Sequence, residues 1–281
     1  MPPATADTPY PLGATSAEHA RLIRQAVIWD PFTERLFRDA GIGPGQRVLD
    51  IGSGVGDVAM LAARLVGPSG AVIGVERDPA TIATARSRVA NAGLSNVSFM
   101  ESDIRGVPST EHFDAVVGRA ILQYLPEAGG ALRSLAVLVR PDGVVALQDV
   151  WPASLFHLTA HLPLRSKCAS LIYRTLQRSG VHMDMELVLY RAFLEAGLPA
   201  PSIRIEVPVG DDPNVIRWFY DLVCTLASRL DKDELAAGGV GDLKTLESRL
   251  EGERIAARSF AASVALVGAY SRSEIGLLPV P

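Results

Sequence analysis

Val48-Leu49-Asp50-Ile51-Gly52-Ser53-Gly54-Val55-Gly56-Asp57 decides how this chain is read. An apolar run ends in an acid, and glycines follow at alternate positions. Val58, Leu61, Ala62, Leu65 and Val66 then recur at helical spacing. The pattern predicts a strand over 47–51, a tight turn and a helix over 57–66. Glycine leaves the backbone of such a turn open to close approach by a ligand. The helix start adds unpaired N–H groups and partial positive charge. A second apolar run, Ala71-Val72-Ile73-Gly74-Val75, ends in Glu76, an acid at the place where ribose hydroxyls are bound in such folds. Together these features imply a nucleoside-bearing cofactor.

The charges around the turn narrow the choice. A dinucleotide sets a pyrophosphate at the turn and helix start, where acids are unfavourable. Asp50 precedes the glycines, and Asp57 stands where the dinucleotide pattern needs a small residue. A cofactor with an ammonium and a sulfonium is favoured by nearby carboxylates. On Asp50-Ile51-Gly52-Ser53-Gly54-Val55-Gly56, with Glu76 and Asp103 downstream, the chain resembles the class I S-adenosylmethionine-dependent methyltransferases of small-molecule type. The likeness is closest over residues 45 to 150. It implies that S-adenosylmethionine is held by Asp50, Gly52, Ser53, Gly54, Gly56, Glu76, Arg77, Asp103, Ile104 and Arg119. Glu76 would take the ribose, Arg77 would lie flat on the adenine, Asp103 would accept from the adenine amine, and Ile104 would wall it. It also implies N-terminal helices over the cofactor, with Gln25, and beside it Trp29 and Thr33, at the methionine end.

Around that stretch the chain alternates strand and helix. Strands are predicted over 47–51, 71–76, 97–101, 113–118 and 143–149, and helices over 57–66, 79–92 and 129–139. This argues an α/β fold with a parallel sheet covered on both faces. Ligands bind at the carboxyl ends of such strands. Here those ends carry Asp50, Glu76, Asp103, Gly118-Arg119 and Gln148-Asp149. Strands near 203–207 and 261–270 bring the number to seven. The resemblance makes this a Rossmann-like, doubly wound sheet whose last strand is antiparallel. Ahead of the core, Ser16 is read as an N-cap and Leu22, Ile23, Ala26 and Val27 as the apolar stripe of a first helix. Pro31 is read as the start of a second, with Phe32, Leu36 and Phe37 on one face.

After Trp151 the alternation stops. Residues 153–181 and 214–230 carry helical apolar spacing, and the insertions over 153–183 and 209–255 are read as a lid and acceptor wall. The expected division is a flexible tail over 1–15, N-terminal helices and cofactor core over 16–150, and helical lid plus last strands over 151–281. Methyl transfer to oxygen or carbon can call for a general base. His157 and His161, one helical turn apart in sequence, and His182 are the candidates, with Asp149 at a strand end as a further one.

Composition sets outer limits. The 281 residues are 48% hydrophobic and 21% charged, with a net charge of −4. That balance fits a globular enzyme and offers no polybasic footprint for nucleic acid. No run of ~18 apolar residues suggests a membrane span, and the N-terminus lacks the basic start and apolar core of a signal peptide. A cytoplasmic protein is expected. Only Lys167, Lys232 and Lys244 are lysine among 27 basic residues, a skew that points to a GC-rich bacterial genome. Cys168 and Cys224 read as small buried hydrophobes, and no cluster has metal-ligand spacing. The expected function is methyl transfer from S-adenosylmethionine to a small-molecule acceptor, a bacterial secondary metabolite, by in-line displacement at O, N or C. The alternatives are an NAD-dependent oxidoreductase built on the same turn and a cofactor-binding protein of this fold without turnover. A homodimer is left open.

Overall fold

The computed structural model describes residues 10–273 apart from 109, 111 and 231. The elements run α1 (Ser16–Asp39), β1 (Arg47–Ile51), α2 (Asp57–Val66), β2 (Ala71–Glu76), α3 (Pro79–Asn91), β3 (Val97–Glu101), β4 (Phe113–Arg119), α4 (Ala128–Ala136) and β5 (Val139–Trp151). They continue α5 (Ser154–Leu158), α6 (Pro163–Arg178), α7 (Met185–Glu195), β6 (Ser202–Glu206), β7 (Val209–Gly210), α8 (Pro213–Ala227), α9 (Lys232–Ala237), α10 (Leu246–Ala256), β8 (Ala261–Ala262) and β9 (Ala265–Arg272). Short 3-10 turns follow β3 at Ile104–Gly106 and β4 at Leu122–Tyr124, and a third, Leu243–Thr245, precedes α10.

Seven strands form one sheet in the order β3-β2-β1-β4-β5-β9-β6. β1 lies parallel to both β2 and β4, with Asp50 opposite Gly74 on one side and Val117 on the other. β9 runs against β5: the Ser273 N–H donates to the Gly143 C=O (2.8 Å), and the Asp142 N–H donates to the Ser273 C=O (3.1 Å). Exchange of both bonds between the start of one strand and the end of the other is the antiparallel pattern. The expected seven strands and antiparallel last strand are therefore present. The order reverses between β1 and β4, and the crevice at a sheet's reversal point is where ligands bind.

α2 ties the glycine stretch to this core. Its Val58, Ala59, Leu61, Ala62, Leu65 and Val66 are buried, and they pack with Val48, Val72 and Val117 of the sheet. Burial of each Val and Leu among them contributes roughly 1.5–3 kcal/mol, so the helix start, and with it the turn, is firmly placed.

The chain forms two compact units. One comprises Asp30–Val150, Met185–Ile205 and the chain from Leu266 on, and carries the sheet. The other comprises the chain up to Trp29 with Trp151–Asp184 and Glu206–Ala265, and is mostly helical. The N-terminal segment thus groups with the helices that follow β5.

Several local expectations are corrected. Residues 10–15, read as part of a loose tail, are tied down: Pro11 and Leu12 are buried and the Tyr10 hydroxyl donates to Glu18 Oε1 (3.2 Å). Residues 1–9 lie outside the described residues. The cap of α1 is Thr15, whose Oγ1 accepts the Glu18 N–H (3.2 Å), one residue before the expected Ser16. Pro31 lies inside α1 and starts no second helix. A proline there removes the N–H that would bond the carbonyl of Val27, and Val27 is 58% exposed, so water can serve that carbonyl instead. The apolar stripe is also displaced. Ile23 and Val27 face outward, while Glu18, Arg21, Gln25 and Trp29 are buried. That polar stripe is buried because its members satisfy one another. Arg21 donates to both Glu18 carboxylate oxygens (2.7 and 2.6 Å) and to Gln25 Oε1 (2.7 Å), which also accepts from Trp218 Nε1 (3.1 Å). The strand expected over 261–270 is two, β8 against β7 and β9 in the main sheet. Cys168 is buried and Cys224 half-buried, both as free thiols, and burial pushes the Cys168 thiol up to about 12.

Candidate functional site

The glycine turn is a cradle with one open place. A side chain at Gly52 would meet Ile121 Cδ1 at 2.5 Å, and one at Gly56 would meet Phe99 at 3.1 Å and Ala85 at 3.3 Å. Those glycines let other parts of the protein close in. At Gly54 a Cβ would meet nothing nearer than the Gly52 carbonyl at 4.0 Å. Gly54 has φ +51°, the left-handed region that disfavours residues with a Cβ. It therefore presents bare backbone to open space at the reversal point of the sheet.

Beside it, Glu76 is held by the backbone. Its Oε2 accepts from the Gly54 N–H (3.1 Å), and its Oε1 from the N–H groups of Arg77 (2.8 Å) and Asp78 (3.0 Å). A carboxylate offers about four acceptor positions. Three are used, all to hold the turn, and the remaining one lies on the oxygen that faces Gly54. Beyond β3, Asp103 caps the 3-10 turn through the Arg105 N–H (3.0 Å) and pairs with Arg105 Nε (2.8 Å). The Arg105 hydrogen bond holds its carboxyl below the usual range. Arg77 is exposed and Ile104 half-buried.

The acids flanking the glycines differ from each other. Asp57 lies 2.7 Å from Arg88 Nη2, and Arg88 Nη1 donates to the Val55 carbonyl (2.6 Å). Burial raises the Asp57 carboxyl's pKa and Arg88 opposes that. Asp57 is thus matched within the protein and is not the free anion its position in the sequence suggests. Asp50 has no such partner. It is 1% exposed, and neither carboxylate oxygen has a hydrogen bond of ordinary geometry. Burial pushes its carboxyl well above the usual range, against the pull of the Arg119 charge and the Ala59 N–H.

Arg119, at the end of β4, is itself committed. Its Nη1 donates to Asp30 Oδ1 and Thr33 Oγ1, both at 2.9 Å, and the Thr33 hydroxyl donates to Gln148 Oε1 (2.7 Å). Asp30 shares the guanidinium, so the Arg119 charge offsets the burial of Asp50 only in part. A buried carboxylate is costly without a partner, and a ligand cation is the partner its chemistry asks for. With the bare backbone at Gly54 and the acceptor on Glu76, the donor set fits an adenosine that carries an ammonium. Asp149, at the end of β5, is fully buried beneath the segment that follows β4. Thr33 is expected near the cofactor, and Gln148 and Asp149 stand out by their place at a strand end, whereas Asp30 carries no distinguishing sequence signal.

The remaining candidates lie in the helical unit. Gln25 commits its carbonyl oxygen to Arg21 and Trp218, and Trp29 Nε1 donates to Ser263 Oγ (2.9 Å). His157 is exposed, its ring 6.3 Å from that of Trp151. His161 is exposed with Nε2 2.8 Å from Ser259 Oγ. The two do not share a helix face: α5 ends at Leu158, and α6 begins at Pro163. The helix breaks between them at Thr159, whose backbone (φ −133°, ψ 27°) is not helical. His182 is half-buried in the connection between α6 and α7. The same unit holds an open cavity of about 460 Å³ whose lining includes Phe156, Lys167 and Arg174. No helix among the described residues is long and apolar enough to cross a membrane.

A family model described as a methyltransferase domain matches residues 42–183. The arsenite methyltransferase of Halobacterium salinarum is 38% identical over 112 residues, 40% of this chain, and the match spans only 29% of that relative's length. The ubiquinone/menaquinone biosynthesis C-methyltransferase UbiE of Pseudomonas paraeruginosa is 33% identical over 184 residues, 60% of this chain and 70% of that relative. The crystal structure of the YcgJ protein from Bacillus subtilis shares the fold, with a TM-score of 0.56 at 16% identity over 87% of this chain and 98% of that one.

Proposed function

The chain belongs to the S-adenosylmethionine-dependent methyltransferase family, with S-adenosylmethionine as its methyl donor, and on that premise we propose that it methylates a small-molecule acceptor at O, N or C. The observation that carries the site assignment is the buried Asp50 carboxyl, whose oxygens lack hydrogen bonds of ordinary geometry, in the same turn segment as the open backbone of Gly54. The donor brings a methyl group already activated by its positive sulfur. Asp50 takes up the charge of the donor's ammonium. Glu76 offers its remaining acceptor position to a ribose hydroxyl, while its other three bonds keep the turn in shape. Asp103 and Ile104 border the adenine beyond β3, and Arg77 covers it. Arg119 is kept from repelling the sulfonium by Asp30. Held in line, the two reactants gain up to roughly 7–11 kcal/mol from proximity alone, and exclusion of water strengthens the electrostatics of the site. His157, His161 and His182 stay candidates for a general base where the acceptor needs one.

The nicotinamide reading of the turn gives way to the methyl donor with family membership. Calorimetry should show S-adenosylhomocysteine binding and no heat with NAD⁺ or NADH. Donor labelled on the methyl group, offered with a panel of phenols, quinols, amines and thiols, should pass label to a small organic product. Label passed only to macromolecules, or to nothing in any panel or extract, would overturn the acceptor class. Glu76→Ala should weaken S-adenosylhomocysteine binding by about 1–3 kcal/mol, because it strands the Gly54 N–H of the turn and removes the proposed ribose acceptor. An unchanged dissociation constant would take Glu76 out of the site.

A further inference from the structure

One buried acid has no part in the binding scheme above. Asp149 is 0% exposed at the end of β5. Its Oδ1 accepts a long hydrogen bond from the Gln123 N–H (3.4 Å), and the Ile121 and Leu122 amides also favour its charged form. Its Oδ2 has no hydrogen-bond partner. The acid thus faces the open N-terminus of the 3-10 turn Leu122–Tyr124.

That turn ends a short bridge with unusual geometry. Ala120 has φ +54°, which for a residue with a Cβ costs roughly 1–2 kcal/mol. Its N–H donates to the Gln148 carbonyl (2.7 Å). The next side chain, Ile121, fills the space over Gly52 and Gly118, within 2.5 and 3.1 Å of where their Cβ atoms would stand. A strained residue persists only where its surroundings hold it. Here the holders are the Gln148 carbonyl on one side and the Asp149 carboxyl on the other, both from β5.

Sheet order says which part of the donor this bridge borders. β2 and β3, with Glu76 and Asp103, lie on one side of β1, and β4 lies on the other. On the binding scheme proposed above, on which this inference rests, the adenosine takes the first side, which puts the amino-acid end toward β4 and Ile121. We propose that Asp149 is a positioning residue for the methyl donor: by holding the Ile121–Gln123 amides it sets Ile121 against Gly52 and shapes the seat of the donor's amino-acid end. Burial, which pushes the Asp149 carboxyl up to about 7, is the cost the fold carries for this anchor.

The test separates an amino-acid-end effect from general loosening. S-adenosylhomocysteine and 5′-methylthioadenosine, which lacks the amino-acid end, are titrated calorimetrically into the full chain. Asp149→Ala should weaken S-adenosylhomocysteine about tenfold, about 1.4 kcal/mol, and leave 5′-methylthioadenosine within about twofold. Asp149→Asn keeps one acceptor oxygen and should lose about threefold. In an Ile121→Ala background either change at 149 should add almost nothing, because residues that act through one another are not additive. Amide exchange over 121–124 should speed up in Asp149→Ala. Equal losses for both ligands, additive losses with Ile121→Ala, or unchanged S-adenosylhomocysteine affinity would each overturn the proposal. If Asp149→Ala does not fold, Asp149→Asn with and without Ile121→Ala decides the matter. The readout is donor binding alone, so it stands whatever the acceptor proves to be.

Discussion

Asp50→Asn should make the ligand-free protein more stable and its grip on the donor weaker. The carboxyl is buried, both oxygens lack partners, and burial pushes its pKa well above the usual range. The folded chain therefore holds a proton that the unfolded chain releases at lower pH. The sign follows: stability from this group is full below the ordinary carboxylate pKa of 3.8 and is lost as pH rises through the raised folded value. Asparagine has the same shape and no charge to desolvate. At neutral pH the variant should be the more stable of the two, because it no longer carries the cost of the raised carboxyl. The gain should shrink as pH falls. On the proposed binding scheme the same substitution removes the partner of the donor's ammonium, so S-adenosylhomocysteine affinity should drop at least about tenfold, about 1.4 kcal/mol. Thermal melts between pH 5 and 8 and calorimetry check both halves. A variant that melts lower at neutral pH and binds as the parent does would show that Asp50 is a structural acid.

Gly54→Asp should abolish donor binding while the chain stays folded. The Cβ at this position has room, so the cost to the fold is mainly the left-handed backbone, roughly 1–2 kcal/mol. The new side chain then occupies the space where the ligand's backbone contacts form. A loss of more than about a hundredfold, about 2.7 kcal/mol, is expected. Gly56→Ala is the control. Its Cβ would press on Phe99 and Ala85, where helix meets sheet, so it should lower the melting temperature more than Gly54→Asp does. Melts and titrations of the two side by side give the comparison. Retained binding in a folded Gly54→Asp would move the donor site away from the turn.

What the sequence discloses of this fold is what local patterns can carry. The run 48–57 contains its own strand, turn and helix start, so its secondary-structure reading survives intact. The acids at the ends of β1, β2 and β5 follow from the strand-end rule. Partners distant along the chain were not readable. Arg88 stands 31 residues after Asp57, and Arg119 stands 89 residues after Asp30, yet these two pairs decide which acid is left for a ligand. Asp57, an argument for a cationic ligand when read alone, is already matched, and Asp50 carries that argument by itself. α1 misleads for a related reason. Periodicity assigns the inside of a helix to its apolar residues, and here Glu18, Arg21 and Gln25 are inside because they bond to one another and to Trp218. The broken spacing of His157 and His161 shows the reverse, where i and i+4 in sequence imply a shared face only if the helix continues.

The buried polar stripe of α1 also constrains how this protein can change over evolutionary time. Loss of one member of a buried ion pair typically costs about 3–5 kcal/mol, while joint replacement by well-packed apolar residues is often neutral. Glu18, Arg21, Gln25 and Trp218 therefore form an epistatic lock. Single steps away from it pass through poorly folded intermediates, and the viable routes replace several members together. Homologues that diverge here should change at these four positions as a set, drifting freely at the outward-facing Ile23 and Val27 between them.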